Sequence, residues 1–222
     1  MKCIGHIENA YKEKFGVPRQ SGLANSVVSR VVFDREYSSP DAFKGIEEFK
    51  YLWLIWLFDI PENDSFRATV RPPRLGGNEH VGVFASRSPF RPNPIGLSSV
   101  CFKKLAFEDG HAVMYVSGAD LKDGTHIVDV KPYIEYADSH PGAGNGFASA
   151  GLTHKLEVVF DVDVTRLMGE KECAGLVESL SLDPRPSYQQ DDSRVYGMKY
   201  LDWNVRFRVE ERRLIVLSIS ES

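Results

Sequence analysis

Tyr51-Leu52-Trp53-Leu54-Ile55-Trp56-Leu57-Phe58 is the longest apolar run in the chain. A membrane-spanning helix needs roughly 20 such residues, so a run this short, rich in aromatic side chains, reads as a buried strand. The segments around it carry the same signal. Asn25 to Phe33 is rich in valine, and Ser98 to Phe107 leads through Glu108-Asp109-Gly110 into Ala112 to Ser117. These two runs read as a hairpin, because glycine takes the positive φ that a tight loop demands. Met1-Lys2-Cys3-Ile4-Gly5-His6 reads as the start of a further strand.

Helical signals are fewer. Ser39 followed by Pro40 and Asp41 resembles a helix start, which predicts a short helix from Asp41 to Phe49. From Asp138 to Gly151 the chain turns Gly-, Ala- and Ser-rich and reads as a linker. Beyond it, Lys155 to Val164 is strand-like, and Thr165 to Ser181 has helical spacing through Leu167, Ala174, Val177 and Leu180. Trp203, Val205, Phe207 and Val209 alternate with polar residues before Leu214 to Ile219, which predicts two closing strands. The expectation is a mainly β chain, α+β overall, divided into residues 1–155 and a small α+β C-terminal domain at 156–222.

With 222 residues, 42% of them hydrophobic and 26% charged, the chain has ordinary globular composition. A formal charge of −4 argues against a surface coated for indiscriminate nucleic-acid binding, so any such contact must be local. The N-terminus lacks the apolar core and small-residue cleavage site of a secretory signal. Cys3, Cys101 and Cys173 are far apart and form no C-x-x-C, and the six histidines show no metal-ligand spacing. These features predict a cytoplasmic protein with no membrane segment and no metal.

The densest candidate for chemistry runs His80-Val81-Gly82-Val83-Phe84-Ala85-Ser86-Arg87-Ser88-Pro89-Phe90-Arg91-Pro92-Asn93-Pro94-Ile95-Gly96-Leu97-Ser98. Three prolines stiffen it before anything binds, and Arg87 and Arg91 offer forked donors suited to a carboxylate or phosphate. Taken alone, it is either a ligand site or a rigid turn with solvated arginines. Gly142-Ala143-Gly144-Asn145-Gly146 invites comparison with the glycine loop of Rossmann-type methyltransferases. It lacks the preceding strand and following helix that give such a loop meaning, so it reads as linker.

The stretch from His80 to Ser98 resembles the signature of the TrmO family, formerly TsaA-like proteins. So do Lys12-Glu13-Lys14-Phe15-Gly16-Val17-Pro18-Arg19-Gln20, the loop from Arg67 to Asn78, Leu121-Lys122-Asp123-Gly124-Thr125 with its continuation to Tyr133, Asp183-Pro184-Arg185-Pro186-Ser187-Tyr188, and Trp203-Asn204-Val205-Arg206. Glu8 and His126 stand where the family usually has arginine and proline. The resemblance implies an S-adenosylmethionine-binding β-barrel over residues 1–155, usually homodimeric, that methylates N6 of threonylcarbamoyladenosine beside the tRNA anticodon. By matching position it implies cofactor contacts at Pro18, Arg19, Gln20, Asp59, Ile60, Arg87, Leu97, Asp123, Gly124, Thr125 and His126.

A carbamoyl-substituted nitrogen is a poor nucleophile and needs its proton removed or its carbonyl polarised. The resemblance makes Asp183, Arg185 and Tyr188 candidates for that work; their segment also reads as a plain helix-terminating turn. Between residues 67 and 91 the arginines Arg67, Arg71, Arg74, Arg87 and Arg91 face Glu79 as the sole acid, a candidate landing strip for tRNA phosphates or an ordinary solvated loop. Besides the enzyme, a non-catalytic barrel that senses S-adenosylmethionine stays open. A hydrolase has little behind it, since no G-x-S-x-G or close Cys and His pair occurs.

Overall fold

The structure is a computed structural model that describes residues 1–59, 66–72, 75, 79–149, 155–186 and 191–222. Its strands are β1 (Gly5–Glu8), β2 (Val28–Phe33), β3 (Tyr51–Leu57), β4 (Thr69–Val70), β5 (Val81–Gly82), β6 (Ile95–Glu108), β7 (His111–Ser117), β8 (His126–Pro132), β9 (Glu157–Phe160), β10 (Tyr196–Tyr200), β11 (Trp203–Glu210) and β12 (Arg213–Glu221). Helix α1 is the single turn Glu135–Asp138, and α2 is Glu170–Ser181.

Six strands close into a barrel in the order β1-β2-β7-β6-β3-β8, with β8 pairing back onto β1. The apolar run that opened the reading is β3, and the barrel explains why every position in it is apolar. Leu52, Leu54 and Trp56 point into the interior with Ile7, Val31, Met114 and Ile127. Their neighbours face outward, where Trp53 packs on Tyr133 at 5.4 Å between ring centres and donates its indole N–H to Asp138 of α1 at 3.0 Å. The expected β6–β7 hairpin is present. Asp109 and Gly110 form its two-residue loop with φ of 51° and 83°, the pairing that suits the right-handed twist of the strands.

The segment from Asp41 to Phe49 departs from expectation. It forms two 3₁₀ turns, Pro40–Phe43 and Ile46–Glu48, because Gly45 sits at φ 82° and breaks the helix between them. Ser39 precedes the first turn but makes no side-chain capping bond. The helix expected from Thr165 begins only at Glu170. Gly169 interrupts the pattern, and Glu172 caps the new start by accepting the Gly169 N–H at 2.9 Å.

The C-terminal sheet has the order β10-β11-β12-β9, antiparallel except for β9 on β12. Strand β10 went unnoticed in the sequence, although Tyr196, Met198 and Tyr200 alternate and are buried. Helix α2 lays Leu176 and Leu180 on this sheet against Val205, Phe207 and Leu214. The connection from β1 to β2 joins that second core: Ala10, Tyr11 and Val27 are buried there, and Phe15 stacks on Tyr196 and Phe207 at 6.4 and 6.3 Å. Tyr11 O–H reaches Ser179 Oγ at 3.0 Å, and the Leu201 N–H donates to the Ala10 carbonyl at 2.9 Å. Residues 10–27 thus tie the barrel to the C-terminal sheet.

Candidate active site at the barrel mouth

A cleft of about 290 Å³ opens where the β1–β2 connection crosses the end of the barrel. That is near the lower end of the roughly 300–1,000 Å³ usual for small-molecule sites. One side is apolar, made by Val17, Pro18, Trp56, Phe58, Pro89 and Leu121; the other carries Lys14, Asp59, Asp120, Lys122 and Thr125. The proline-rich stretch and the Asp-Gly-Thr turn, far apart in the chain, therefore meet through Pro89 and Thr125.

Each polar group is fixed by neighbours. Lys122 Nζ pairs with Asp59 Oδ2 at 3.0 Å, and Lys14 Nζ donates to the Asp59 carbonyl at 2.8 Å. The hydrogen bond and the charge of Lys122 hold the Asp59 carboxyl below its usual range. Thr125 is buried, with Oγ1 donating to the Lys122 carbonyl at 2.6 Å. Asp123 turns away from the cleft: its two oxygens accept from the Asn9 N–H at 2.7 Å and from Lys12 Nζ at 2.9 Å. Gly124 and His126 are exposed beside it.

Arg87 is exposed and donates to Gln20 Oε1 at 2.5 Å, so the proline-rich stretch is clasped to the β1–β2 connection next to Pro18. Leu97 lies on the outer surface of β6, 54% exposed, and does not line the cleft. Arg19 donates to the Arg185 carbonyl at 2.5 Å. Arg185 in turn grips both oxygens of Asp183, at 2.9 and 3.0 Å, and these hydrogen bonds raise the Arg185 pKa further. Asp183 and Pro184 line a smaller cleft of about 150 Å³ that shares Lys14, Val17 and Pro18 with the larger one. Ile60, Arg74 and Tyr188 lie outside the described residues.

Among the other arginines, Arg91 donates to the carbonyls of Val83 and Ser86 at 3.0 and 2.8 Å, which pins its own loop. Arg67 stacks over Phe90 at 4.0 Å, and Arg71 Nε donates to His80 at 2.9 Å. Glu8 forms an ion pair with Arg30 of β2, which also holds Glu108 at 2.7 Å. The acid at position 8 is therefore absorbed by a cross-strand network. Among the described residues no group of three or more His, Cys, Asp or Glu could hold a metal, and no helix is long and apolar enough to cross a membrane.

Asp120 escaped the sequence reading. It follows β7, lines the cleft, and accepts from Ser98 Oγ at 2.5 Å, while Trp56 Nε1 donates to the same Ser98 oxygen at 2.9 Å. Burial pushes its carboxyl above the usual carboxylate range, an effect partly offset by the Ser98 hydrogen bond. Nothing in the short string Gly118-Ala119-Asp120-Leu121 marks that acid as special; Ser98 becomes its partner only when β6 and β7 pair.

Fold and cleft together define a class: a closed antiparallel barrel with a cleft at its mouth, unrelated to the doubly wound nucleotide-binding sheet. Residues 6–139 match the tRNA-methyltransferase O N-terminal domain and residues 153–222 the TrmO C-terminal domain. The chain is 39% identical to the tRNA (adenine(37)-N6)-methyltransferase of Escherichia coli K12, over 97% of this chain and 95% of that one. It is 38% identical to a putative S-adenosylmethionine-dependent methyltransferase of Pseudomonas aeruginosa, over 96% and 93%. A crystal structure of TrmO from P. aeruginosa superposes with a TM-score of 0.79 at 30% identity, covering 99% of this chain and 95% of that one. The chain belongs to the TrmO family.

Proposed function

We propose that this chain is an S-adenosylmethionine-dependent tRNA methyltransferase that acts on N6 of the adenosine beside the anticodon, and that this adenosine already carries a threonylcarbamoyl group. The observation that carries the reading is the amphipathic cleft, built from the same segments whose motifs resemble the family. Its make-up fits the methyl donor: Lys14 and Lys122 suit a carboxylate, Asp59 a ribose diol or an amine, and Trp56, Phe58 and Pro18 a flat adenine. S-adenosylmethionine supplies a methyl group activated by a sulfonium. The protein's part is to hold donor and acceptor together and keep water out, which the walls of Trp56, Phe58 and Leu121 favour.

Relatives that match nearly end to end and are named methyltransferases favour the enzyme over a sensor. Labelled S-adenosylmethionine incubated with tRNA bearing or lacking threonylcarbamoyladenosine tests the reading. Label only on the modified tRNA is the expected result; label on neither makes the chain a sensor. Around the site we assign Pro18, Arg19, Gln20, Asp59, Arg87 and the Asp123 to His126 turn to the cofactor side. We assign Asp183 and Arg185 to support of the neighbouring segment. We also take the protein to be a cytoplasmic homodimer, divided near residues 155 and 156.

Two results are expected here. Arg87→Ala frees Gln20 and weakens S-adenosylmethionine binding by about 1–3 kcal/mol, as read by calorimetry; unchanged affinity removes Arg87 from the site. For tRNA, Arg71→Glu reduces the slope of log affinity against log salt by about 1 or more, the signature of a lost phosphate contact. An identical slope means that Arg71 faces only solvent.

A further inference from the structure

We propose that Asp120 is the catalytic base, accepting the N6 proton of the adenosine as that nitrogen takes the methyl group. The proposal rests on the methyltransferase reading and adds a named proton acceptor to it. In the step, the nitrogen–methyl bond forms and the sulfur–methyl bond breaks with its electron pair staying on sulfur. The N6–H electrons stay on nitrogen and the proton passes to a carboxylate oxygen of Asp120. The products are a neutral methylated amide nitrogen, a neutral thioether and a protonated Asp120, so charge and atoms balance.

Three carboxylates stand at or beside the cleft, and two are committed elsewhere. Asp59 is ion-paired to Lys122, and both oxygens of Asp123 are taken by Asn9 and Lys12. Asp120 has no ion-pair partner among the described residues and is held by the Ser98 hydroxyl. Hydrogen-bond direction fixes its role toward Ser98. The indole N–H of Trp56 can only donate, so the Ser98 oxygen accepts it and turns its single proton onto Asp120. The chain of bonds ends on Asp120 Oδ1 as acceptor, which orients the carboxyl at the cleft. Asp120 thus lines the cleft with its carboxyl oriented, and once ionised its partly desolvated setting makes it a stronger base than a surface aspartate.

The charged groups that bear on it are Arg87, from the proline-rich stretch, and Lys14, Asp59 and Lys122, which share the cleft. Because the Asp120 pKa is raised in the fold, the ionised carboxylate weakens the native state at pH above that pKa. The cost disappears as pH falls through it.

The test compares wild type with Asp120→Asn in three measurements: single-turnover methylation at saturating S-adenosylmethionine and modified tRNA from pH 5 to 9, calorimetric affinity for S-adenosylmethionine, and thermal unfolding without ligands. Removing a general base is expected to slow methylation by roughly 100-fold or more and to abolish the rise of rate with pH. Cofactor affinity stays unchanged. The variant melts no lower than wild type at pH 8, and any gain shrinks toward pH 5. Asp120→Glu recovers part of the rate. An undiminished rate in Asp120→Asn overturns the proposal. So does a loss of cofactor affinity with full rate at saturation, which makes Asp120 a binding contact, or a clear drop in melting temperature, which makes it a structural acceptor. Failure of wild type to methylate modified tRNA defeats the methyltransferase reading instead, and is seen before any variant is made.

Discussion

Gly96→Ala is expected to lower the midpoint of thermal unfolding by roughly 6–12 °C, about 3 kcal/mol in a chain of this size. A Cβ built on Gly96 falls 2.2 to 2.5 Å from the Trp56 ring atoms, well inside any real contact. Neither partner can step aside. Gly96 and Trp56 are paired residues of β6 and β3, and Trp56 is 7% exposed with its indole N–H bonded to Ser98. Accommodation means expelling a large ring from the barrel and leaving a buried N–H without its acceptor. Because Trp56 also walls the cleft and orients Ser98 toward Asp120, the surviving folded protein should bind S-adenosylmethionine poorly. Differential scanning fluorimetry and calorimetry check the two halves separately. A melting temperature within a degree of wild type would show that the ring is free to move, and with it that the Trp56–Ser98–Asp120 chain is not held rigidly.

The second large effect is predicted at Phe207, 0% exposed in the C-terminal core. Phe207→Ala removes a ring that stacks on Phe15 at 6.3 Å and on Tyr196 at 5.7 Å, and should cost about 3–5 kcal/mol in urea unfolding. Its consequence reaches the cleft. Phe15 lies between Lys14 and the Val17-Pro18 pair that line the cleft, so loosening Phe15 loosens one wall of the cofactor site. Weaker S-adenosylmethionine binding, measured at a temperature where the variant is still folded, is therefore expected from a residue that touches no ligand. Loss of stability with full cofactor affinity would show that the β1–β2 connection is held by its hydrogen bonds, Tyr11 to Ser179, Leu201 to Ala10 and Lys199 to Glu13 among them, without the Phe15 stack.

Two segments show what local preference leaves open. Local preference favours a helix after Ser39-Pro40-Asp41, yet a single glycine at positive φ splits the segment. The uniform apolarity of Tyr51 to Phe58 marked a buried strand; in the barrel one face is fully buried and the outer face is half-covered by Tyr133 and α1. The first outcome turns on a glycine inside the segment itself, the second on Tyr133 and α1, which are far along the chain.

The sequence by itself determined β1, β2, β3, β6 and β7 of the barrel, the β6–β7 hairpin with its Asp-Gly loop, the alternation of β11, and a set of motifs dense enough to point to the family. All of these are local, because period-2 patterning, turn chemistry and proline stiffness act within a few residues. Only the tertiary structure decided which of the polar groups in those motifs are available for chemistry. Asp123, Asp183, Arg185 and Arg91 sit in motifs but spend their hydrogen-bonding capacity on neighbours. Asp120, in no quoted motif, faces the cleft because closing the barrel sets Trp56, Ser98 and Asp120 in line from three separate segments. A carboxylate's basicity depends on what surrounds it in space, and that surrounding is assembled only when distant strands pair.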